Sequence, residues 1–241
     1  MSQPIFPTVL AVETATQACS VALIHQGQEY IRHEILPQKH AHRVLEMVDE
    51  VIVESGVLTD EIDVLAYGEG PGAFTGVRIA SGIIQGLALG WDKPVLAVSS
   101  LLAMAESVLV DKYPDSDVNW CALLDARMKE IYLLVGTYQS AGNLINSTEP
   151  VLIAPDVIGD YLDLSKTYVG IGDTQEEYPD LNKSFVDWYS SLPSAVSIAR
   201  LAQKKSIEAK SLDEMIPNPL YLRNQIADTI AERKLKKERK V

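Results

Sequence analysis

Residues Gly68–Trp91, GEGPGAFTGVRIASGIIQGLALGW, join a glycine-rich turn directly to a helical pattern with almost no polar face. Taken as a helix from Gly76 to Trp91 at about 100° per residue, only Arg78, Ser81 and Gln85 are polar, and they share one narrow stripe. Solvent therefore sees little of this helix. Gly82, Gly86 and Gly90 recur every fourth residue along another stripe, although each glycine costs roughly 1 kcal/mol against alanine in a helix interior. About 3 kcal/mol has to be offset. Close approach of a second backbone, over a surface with no side chains to hold it away, is the physical candidate. A stretch of this length with an arginine falls short of the ~20 apolar residues a bilayer requires, so no membrane span is expected.

Upstream, Thr8–Glu13 (TVLAVE), Ser20–His25 (SVALIH) and Glu29–Leu36 read as strands, with a Gln26-Gly27 turn between the last two. Lys39–Ser55 follows as a helix whose apolar residues Ala41, Val44, Leu45, Met47, Val48, Val51 and Ile52 cover about 160°, wider than the ~100° that one buried face requires. Ile62–Tyr67 is a fourth strand feeding the glycine turn, and Thr75 is placed to cap the glycine-striped helix. Pro94–Val98 is a fifth strand, after which Ser99 caps another helix. The order is βββαβαβα. Asn119–Asp125 then restarts it: strand, carboxylate, short loop, and a hairpin partner at Ile131–Tyr138. Glu13 and Asp125 end the equivalent first strands, so the second lobe repeats the first. Asn143–Ile153 is expected as its third strand, Asp156–Leu164 as a helix, Thr167–Ile171 as a strand and Ser194–Lys205 as a helix. The fold class is α/β, with two duplicated lobes, each a mixed sheet with helices. The expected division is 1–111 for the N-terminal lobe, 118–222 for the C-terminal lobe and 223–241 for a basic tail, with the polar KYPDSD linker at Lys112–Asp117 between the lobes.

A net charge of −12 argues against a protein whose main surface binds nucleic acid. Charge is segregated, however: residues 223–241 carry seven Lys/Arg and three Asp/Glu. Two readings of that tail stand, a solvated helix end and an RNA-touching arm. Cys19 and Cys121 lie in apolar runs without a second ligand nearby, as core thiols of a reduced, cytoplasmic protein. The N-terminus lacks the basic and apolar regions of a signal peptide.

VETAT near the start, GEGPGAFTGVR before a small-residue helix, LDARMKEIY opening the second lobe and PLYLR near the end together resemble the TsaB (YeaZ) family, over residues 8 to 226. The resemblance implies duplicated actin-like (ribonuclease H-like) lobes shared with the transferase TsaD. It also implies a part in threonylcarbamoylation of the adenosine 3′ of the anticodon in tRNAs reading codons that begin with A. In that system TsaD transfers the threonylcarbamoyl group from its adenylate, the TsaB family supplies its non-catalytic partner and activator, and the ATPase TsaE joins the pair. A stand-alone actin-like ATPase or phosphotransferase is the alternative.

An ATP-binding actin-like lobe needs a carboxylate for the hydrated metal and turns whose N–H groups approach the phosphates. The first turn, Glu13 to Gln17, keeps hydroxyls but no glycine; the second, Asp125 to Lys129, has neither. Glu13, Asp125 and Arg127 are therefore weak cofactor-binding candidates, with ATP or an adenylate expected only at a site shared in the complex and no cofactor in the isolated protein. His40 and His42 point about 200° apart on a helix and cannot close on one ion, so no metal site is expected. No catalytic residue is assigned. The motif residues are Gly70, Pro71, Gly72, Thr75, Gly76 and Arg78; Arg78 reads equally as a tie to a carboxylate or to a partner. The expected partner surface comprises Val44, Leu45, Met47, Val48, Val51 and Ile52 of one helix with Ile79, Gly82, Ile83, Gly86, Leu87 and Gly90 of the other. Its occupant is the TsaD-type transferase or, in the protein alone, a second copy; tRNA is reached through the complex. The competing reading is that both helices merely cover their own sheet.

Overall fold

A computed structural model describes residues 6–140 and 142–223. Apart from Arg223, the basic tail lies outside the described residues.

The first sheet contains β1 (Val9–Glu13), β2 (Ala18–His25), β3 (Gln28–Ile35), β4 (Val64–Gly70) and β5 (Val95–Ser99) in the order β3-β2-β1-β4-β5. β1, β2 and β3 form an antiparallel meander, whereas β4 and β5 join in parallel. Those parallel joins require crossovers, supplied by α1 (His40–Ser55) and α2 (Phe74–Trp91). Both helices cover one face of the sheet, where Val44, Met47, Val48 and Val51 of α1 and Ala80, Ile84 and Ala88 of α2 pack on Leu10, Val12, Val21, Leu23 and Leu65.

The second sheet contains β6 (Val118–Arg127), β7 (Glu130–Gln139), β8 (Asn143–Asn146), β9 (Val151–Ile153), β10 (Tyr168–Gly172) and β11 (Asp187–Ser190), in the order β11-β10-β6-β7-β8 with β9 also pairing β7. Its first hairpin repeats that of the first lobe, but the expected third strand is two short ones. Pro150 has no N–H for the ladder, and Ser147 and Thr148 both turn their N–H groups to the Val135 carbonyl. The helix expected at Asp156–Leu164 is instead a short 3-10 segment, Pro155–Tyr161, because Gly159 interrupts it and only Ile158 is buried. β11 was not anticipated.

Between the sheets lie α3 (Ser100–Lys112) and α4 (Ala195–Lys204). α3 is apolar around most of its circumference, LLAMAESVLV, and such a helix is stable only when both faces are covered. One continuous core joins Ala11, Ala22 and Val98 of the first sheet to Leu101, Met104 and Val108 of α3, Ile198 and Ala202 of α4, and Trp120, Leu134 and Ile171 of the second sheet. α4, which follows the second-lobe strands in sequence, packs on β1 and β2 of the first sheet and against α3. The Ser20 hydroxyl accepts a hydrogen bond from the Ala195 N–H at 2.7 Å, anchoring the start of α4 to β2. Arg200 then spans Glu29 on β3 (2.7 Å) and buried Glu106 on α3 (3.8 Å). Among the described residues no helix is long and apolar enough to cross a membrane.

Candidate functional site

The β1–β2 turn lies directly beneath the glycine motif. The Thr14 hydroxyl donates to the Gly76 carbonyl at 2.7 Å, and the Ala73 N–H donates to the Ala15 carbonyl at 2.7 Å. A Cβ on Gly72 would strike the Ala15 carbonyl, and one on Gly76 the Thr14 carbonyl. These two glycines therefore allow backbone to rest on backbone, and the start of α2 occupies the space over the turn. The helix consequently begins two residues earlier than expected: Ala73 is its N-cap, and Thr75, expected as the cap, lies in the first turn with its side chain exposed.

Glu13 ends β1 fully buried. One carboxylate oxygen accepts from the Ala15 N–H (2.5 Å) and the other from the Ser100 hydroxyl (2.6 Å), which itself accepts from the Gly70 N–H (3.2 Å). Gly68 lies so close that a Cβ there would overlap the carboxylate. Burial pushes the Glu13 pKa up, opposed by the Ser100 and backbone hydrogen bonds. Glu13, proposed from sequence as a ligand-facing acid, is instead a sealed knot joining β1, β4 and α3. Its folded-state pKa lies above the value of 4.5 for an ordinary glutamate, so folding takes up a proton between the two values. The stability it contributes is complete below the unfolded pKa and is lost as pH rises through the folded pKa. Glu13→Gln keeps the shape and cannot ionise, so its unfolding free energy should lose less than that of the parent chain as pH rises from about 4.5 towards neutrality. Urea titrations across that range measure it, and parallel curves for the two proteins would contradict a buried, raised carboxyl.

The β6–β7 turn is closed from within. One Asp125 oxygen accepts from the Arg127 N–H (2.8 Å), the other pairs with the Arg127 guanidinium (3.0 Å), and the Asp125 N–H donates to Asp173 (2.8 Å). Arg127, Met128 and Lys129 are consecutive left-handed residues, with φ of 61°, 57° and 63°. Each costs roughly 1–2 kcal/mol for a residue bearing a Cβ. Arg223 supports the turn by donating to the carbonyls of Ala126 (3.2 Å) and Arg127 (3.5 Å) and pairing with Glu130. Burial is the largest of the influences that raise the Asp173 pKa. Sequence reasoning missed Ser100, Asp173 and Arg223 in these roles, since each meets its partner only through the tertiary fold.

A cavity of about 360 Å³ opens between the lobes, with Glu69, Ser99, Glu149, Lys205 and Leu220 in its wall. Glu13, Asp125 and Arg127 do not line it. Burial, and then the charge of Glu149, raises the Glu69 pKa. Beside it the chain from Asn218 to Arg223 forms a strap: the Leu220 N–H donates to the Glu69 carbonyl (2.7 Å), the Asn218 N–H to the Tyr67 hydroxyl (3.0 Å), and Tyr221 lies by Phe74 with ring centroids 5.8 Å apart. Arg78 donates to the Tyr221 hydroxyl (2.5 Å) and stacks on the Phe74 ring, its guanidinium carbon 3.5 Å from the centroid. It ties α2 to this strap, and among the described residues no carboxylate pairs with it.

The expected partner surface divides. Val44, Met47, Val48 and Val51 are buried in the first lobe's own core and cannot reach a second protein; that half of the wide arc on α1 faces its sheet. Leu45 is exposed and Ile52, Ile79, Ile83 and Leu87 are half-buried, with Val53 and Leu89 beside them 72% and 77% exposed. Gly82, Gly86 and Gly90 are exposed, and a Cβ on any of them would meet nothing within 4 Å. No neighbouring element among the described residues uses the close approach these glycines permit. Neither do three His, Cys, Asp or Glu side chains converge in a metal-binding arrangement among those residues.

The chain is similar to known proteins over most of its length. The family model for TsaD, tRNA N6-adenosine threonylcarbamoyltransferase, matches residues 22–211. The tRNA threonylcarbamoyladenosine biosynthesis protein TsaB of Escherichia coli (strain K12) is 38% identical over 227 residues, covering 91% of this chain and 96% of that protein. The TsaB protein of Haemophilus influenzae is 34% identical over 230 residues, with coverage of 91% and 94%. Among solved structures, YeaZ from Pseudomonas aeruginosa superimposes with a TM-score of 0.78 at 35% identity, covering 90% of this chain and 100% of that one.

Proposed function

This chain belongs to the TsaB (YeaZ) family of tRNA threonylcarbamoyladenosine biosynthesis, and from that premise we propose that it is the non-catalytic partner and activator of a TsaD-type transferase. The observation that carries this reading is the outer surface of α2 with the flank of α1: exposed or half-exposed Leu45, Ile52, Val53, Ile79, Ile83, Leu87 and Leu89 around three glycines that no part of the described fold covers. Contiguous apolar surface of this kind marks an association site. Glycines at four-residue spacing let a second helix approach at backbone distance. The related lobe of the transferase presents the equivalent helices, and in the protein alone a second copy takes their place. TsaE joins the pair, tRNA is reached through the complex, and buried free thiols suit the cytoplasm.

The two phosphate turns support the non-catalytic part of this reading. Over the first, α2 fills the space a triphosphate would need, and Glu13 has both oxygens engaged behind Gly68. Across the second, Asp125 turns its oxygens to Arg127. A stand-alone ATPase would need both opened. ATP or an adenylate belongs to the complex, at a site the partner completes.

The interface should bury more than about 1,000 Å². Gly86→Leu places a bulky side chain in open space on the isolated lobe and in the middle of the proposed contact. It should leave the circular dichroism like that of the parent, raise the unfolding midpoint by no more than about 4 °C through helix propensity, and abolish co-purification with the transferase. Unchanged affinity in a pull-down would sink the interface.

A further inference from the structure

Helix α1 carries four carboxylates, Glu46, Asp49, Glu50 and Glu54, and the fold neutralises three of them. Arg43 pairs with Glu46 (3.4 Å) and Glu50 (2.5 Å), and Arg32 on β3 pairs with Glu50 (2.6 Å) and Glu54 (2.7 Å). Asp49 is exposed, and among the described residues no cation pairs with it. Its bearing on the helix also differs. At about 100° per residue, Leu45 and Val53 lie about 40° to either side of Asp49, one turn before it and one turn after. Both are exposed, whereas the buried Val44, Met47, Val48 and Val51 lie about 100° or more away from it. The one carboxylate without a cation therefore stands inside the apolar row that α1 contributes to the docking face.

We propose that Asp49 selects the occupant of this face: a transferase that sets a lysine or arginine opposite it, in preference to a second copy of this chain. The inference rests on the docking face proposed above and adds the charge that the transferase's surface has to carry there. In the isolated protein Asp49 is solvated and its charge costs nothing. Association covers Leu45 and Val53 on either side of it, so the carboxylate loses that water, which is strongly unfavourable unless a cation with good hydrogen bonds replaces it. A second copy has no such cation to offer. Leu45–Val53 and Ile79–Gly90, the segments that make up the face, contain neither lysine nor arginine. Nearby, Arg43 is already held by Glu34, Glu46 and Glu50, and Arg78 by Tyr221 and the Phe74 ring. Pairing two copies also brings together two chains of net charge −12. The apolar residues and glycines suit either occupant. Asp49 separates them, because specificity is a difference of two affinities and an unpaired charge lowers the wrong one.

The test compares the full-length parent with Asp49→Asn, Asp49→Lys and Gly86→Leu. Each is titrated with the purified transferase by calorimetry, and each is sedimented alone to measure self-association. Both are done at about pH 8, where ordinary histidines are neutral, so that lysine and arginine are the cations tested. Asp49 forms no hydrogen bond or ion pair in the described fold, so both of its variants should keep the parent's circular dichroism. Asp49→Asn should weaken transferase binding by at least about thirtyfold, the loss expected when one member of a covered charge pair is removed, and Asp49→Lys should weaken it further. Self-association of Asp49→Asn should move the other way and strengthen several-fold. Opposite movement is the signature, since a variant that merely loosened α1 would weaken both. An Asp49→Asn chain that binds the transferase as tightly as its parent, or that self-associates no more strongly, overturns the assignment. Gly86→Leu separates this from the docking face itself. Full transferase affinity in Gly86→Leu moves the face elsewhere and takes the role of Asp49 with it, whereas loss of binding there with Asp49→Asn unaffected keeps the face and overturns the role of Asp49 alone.

Discussion

Gly76→Ala is expected to destabilise the fold by roughly 2–4 kcal/mol, a single-methyl change with a larger effect than most surface substitutions. Two effects oppose each other. Helix propensity favours alanine over glycine by about 1 kcal/mol, and position 76 lies inside α2. Against that, the new Cβ would overlap the Thr14 carbonyl, which is backbone and cannot rotate away. Relief requires the start of α2 to lift from the β1–β2 turn, and lifting breaks the buried bond from the Thr14 hydroxyl to the Gly76 carbonyl and strains that from Ala73 to Ala15. Overpacking costs typically 1–3 kcal/mol and each buried hydrogen bond about 1 kcal/mol more, so the steric effect wins. For a chain of this size the melting temperature should fall by about 4–16 °C. Calorimetry and urea unfolding measure it, with Gly72→Ala, aimed at the Ala15 carbonyl, as the parallel case. A Gly76→Ala protein as stable as its parent would mean that the helix does not rest on the turn.

This position also marks what sequence can and cannot convey. The strand runs Thr8–Glu13 and Pro94–Val98, each within a residue of the observed β1 and β5 at both ends, the hairpin that Asp125 repeats from Glu13, and the Ser99 cap were all legible, because each depends on local patterning and turn chemistry. The Ser99 hydroxyl does accept the Leu102 N–H, at 3.4 Å. Roles set by a distant neighbour were not legible. Nothing local to Gly72 and Gly76 says that the Ala15 and Thr14 carbonyls lie against them. The apolar arc on α1 announces its width, but nothing local says that Val44, Met47, Val48 and Val51 turn inward while Leu45 and Val53 remain outside. α4 has an ordinary amphipathic pattern that suits either sheet, and only the tertiary fold seats it on the first. Glu13 is the sharpest case: a carboxylate at the end of a first strand reads as a ligand, and burial beside Gly68 and Ser100 makes it a structural acid.

Gly82→Ala together with Gly86→Ala should act in the opposite direction on stability, raising it by about 2 kcal/mol and the melting temperature by about 4–8 °C. Both positions are interior to α2, both have ordinary helical backbone, and a Cβ on either meets nothing within 4 Å. In the isolated chain the two glycines therefore carry the full propensity cost with no contact in the described fold to offset it. A fold that retains such a cost gains something from it elsewhere, and the proposed gain is the close approach of the transferase's helix. The double alanine variant should accordingly be the more stable protein and the weaker partner, its affinity about tenfold lower or more if the two methyl groups hold the helices apart. Thermal unfolding and a titration with the transferase measure the two halves independently. No stabilisation would mean that another segment already covers the stripe; stabilisation with full affinity would move the docking surface off α2.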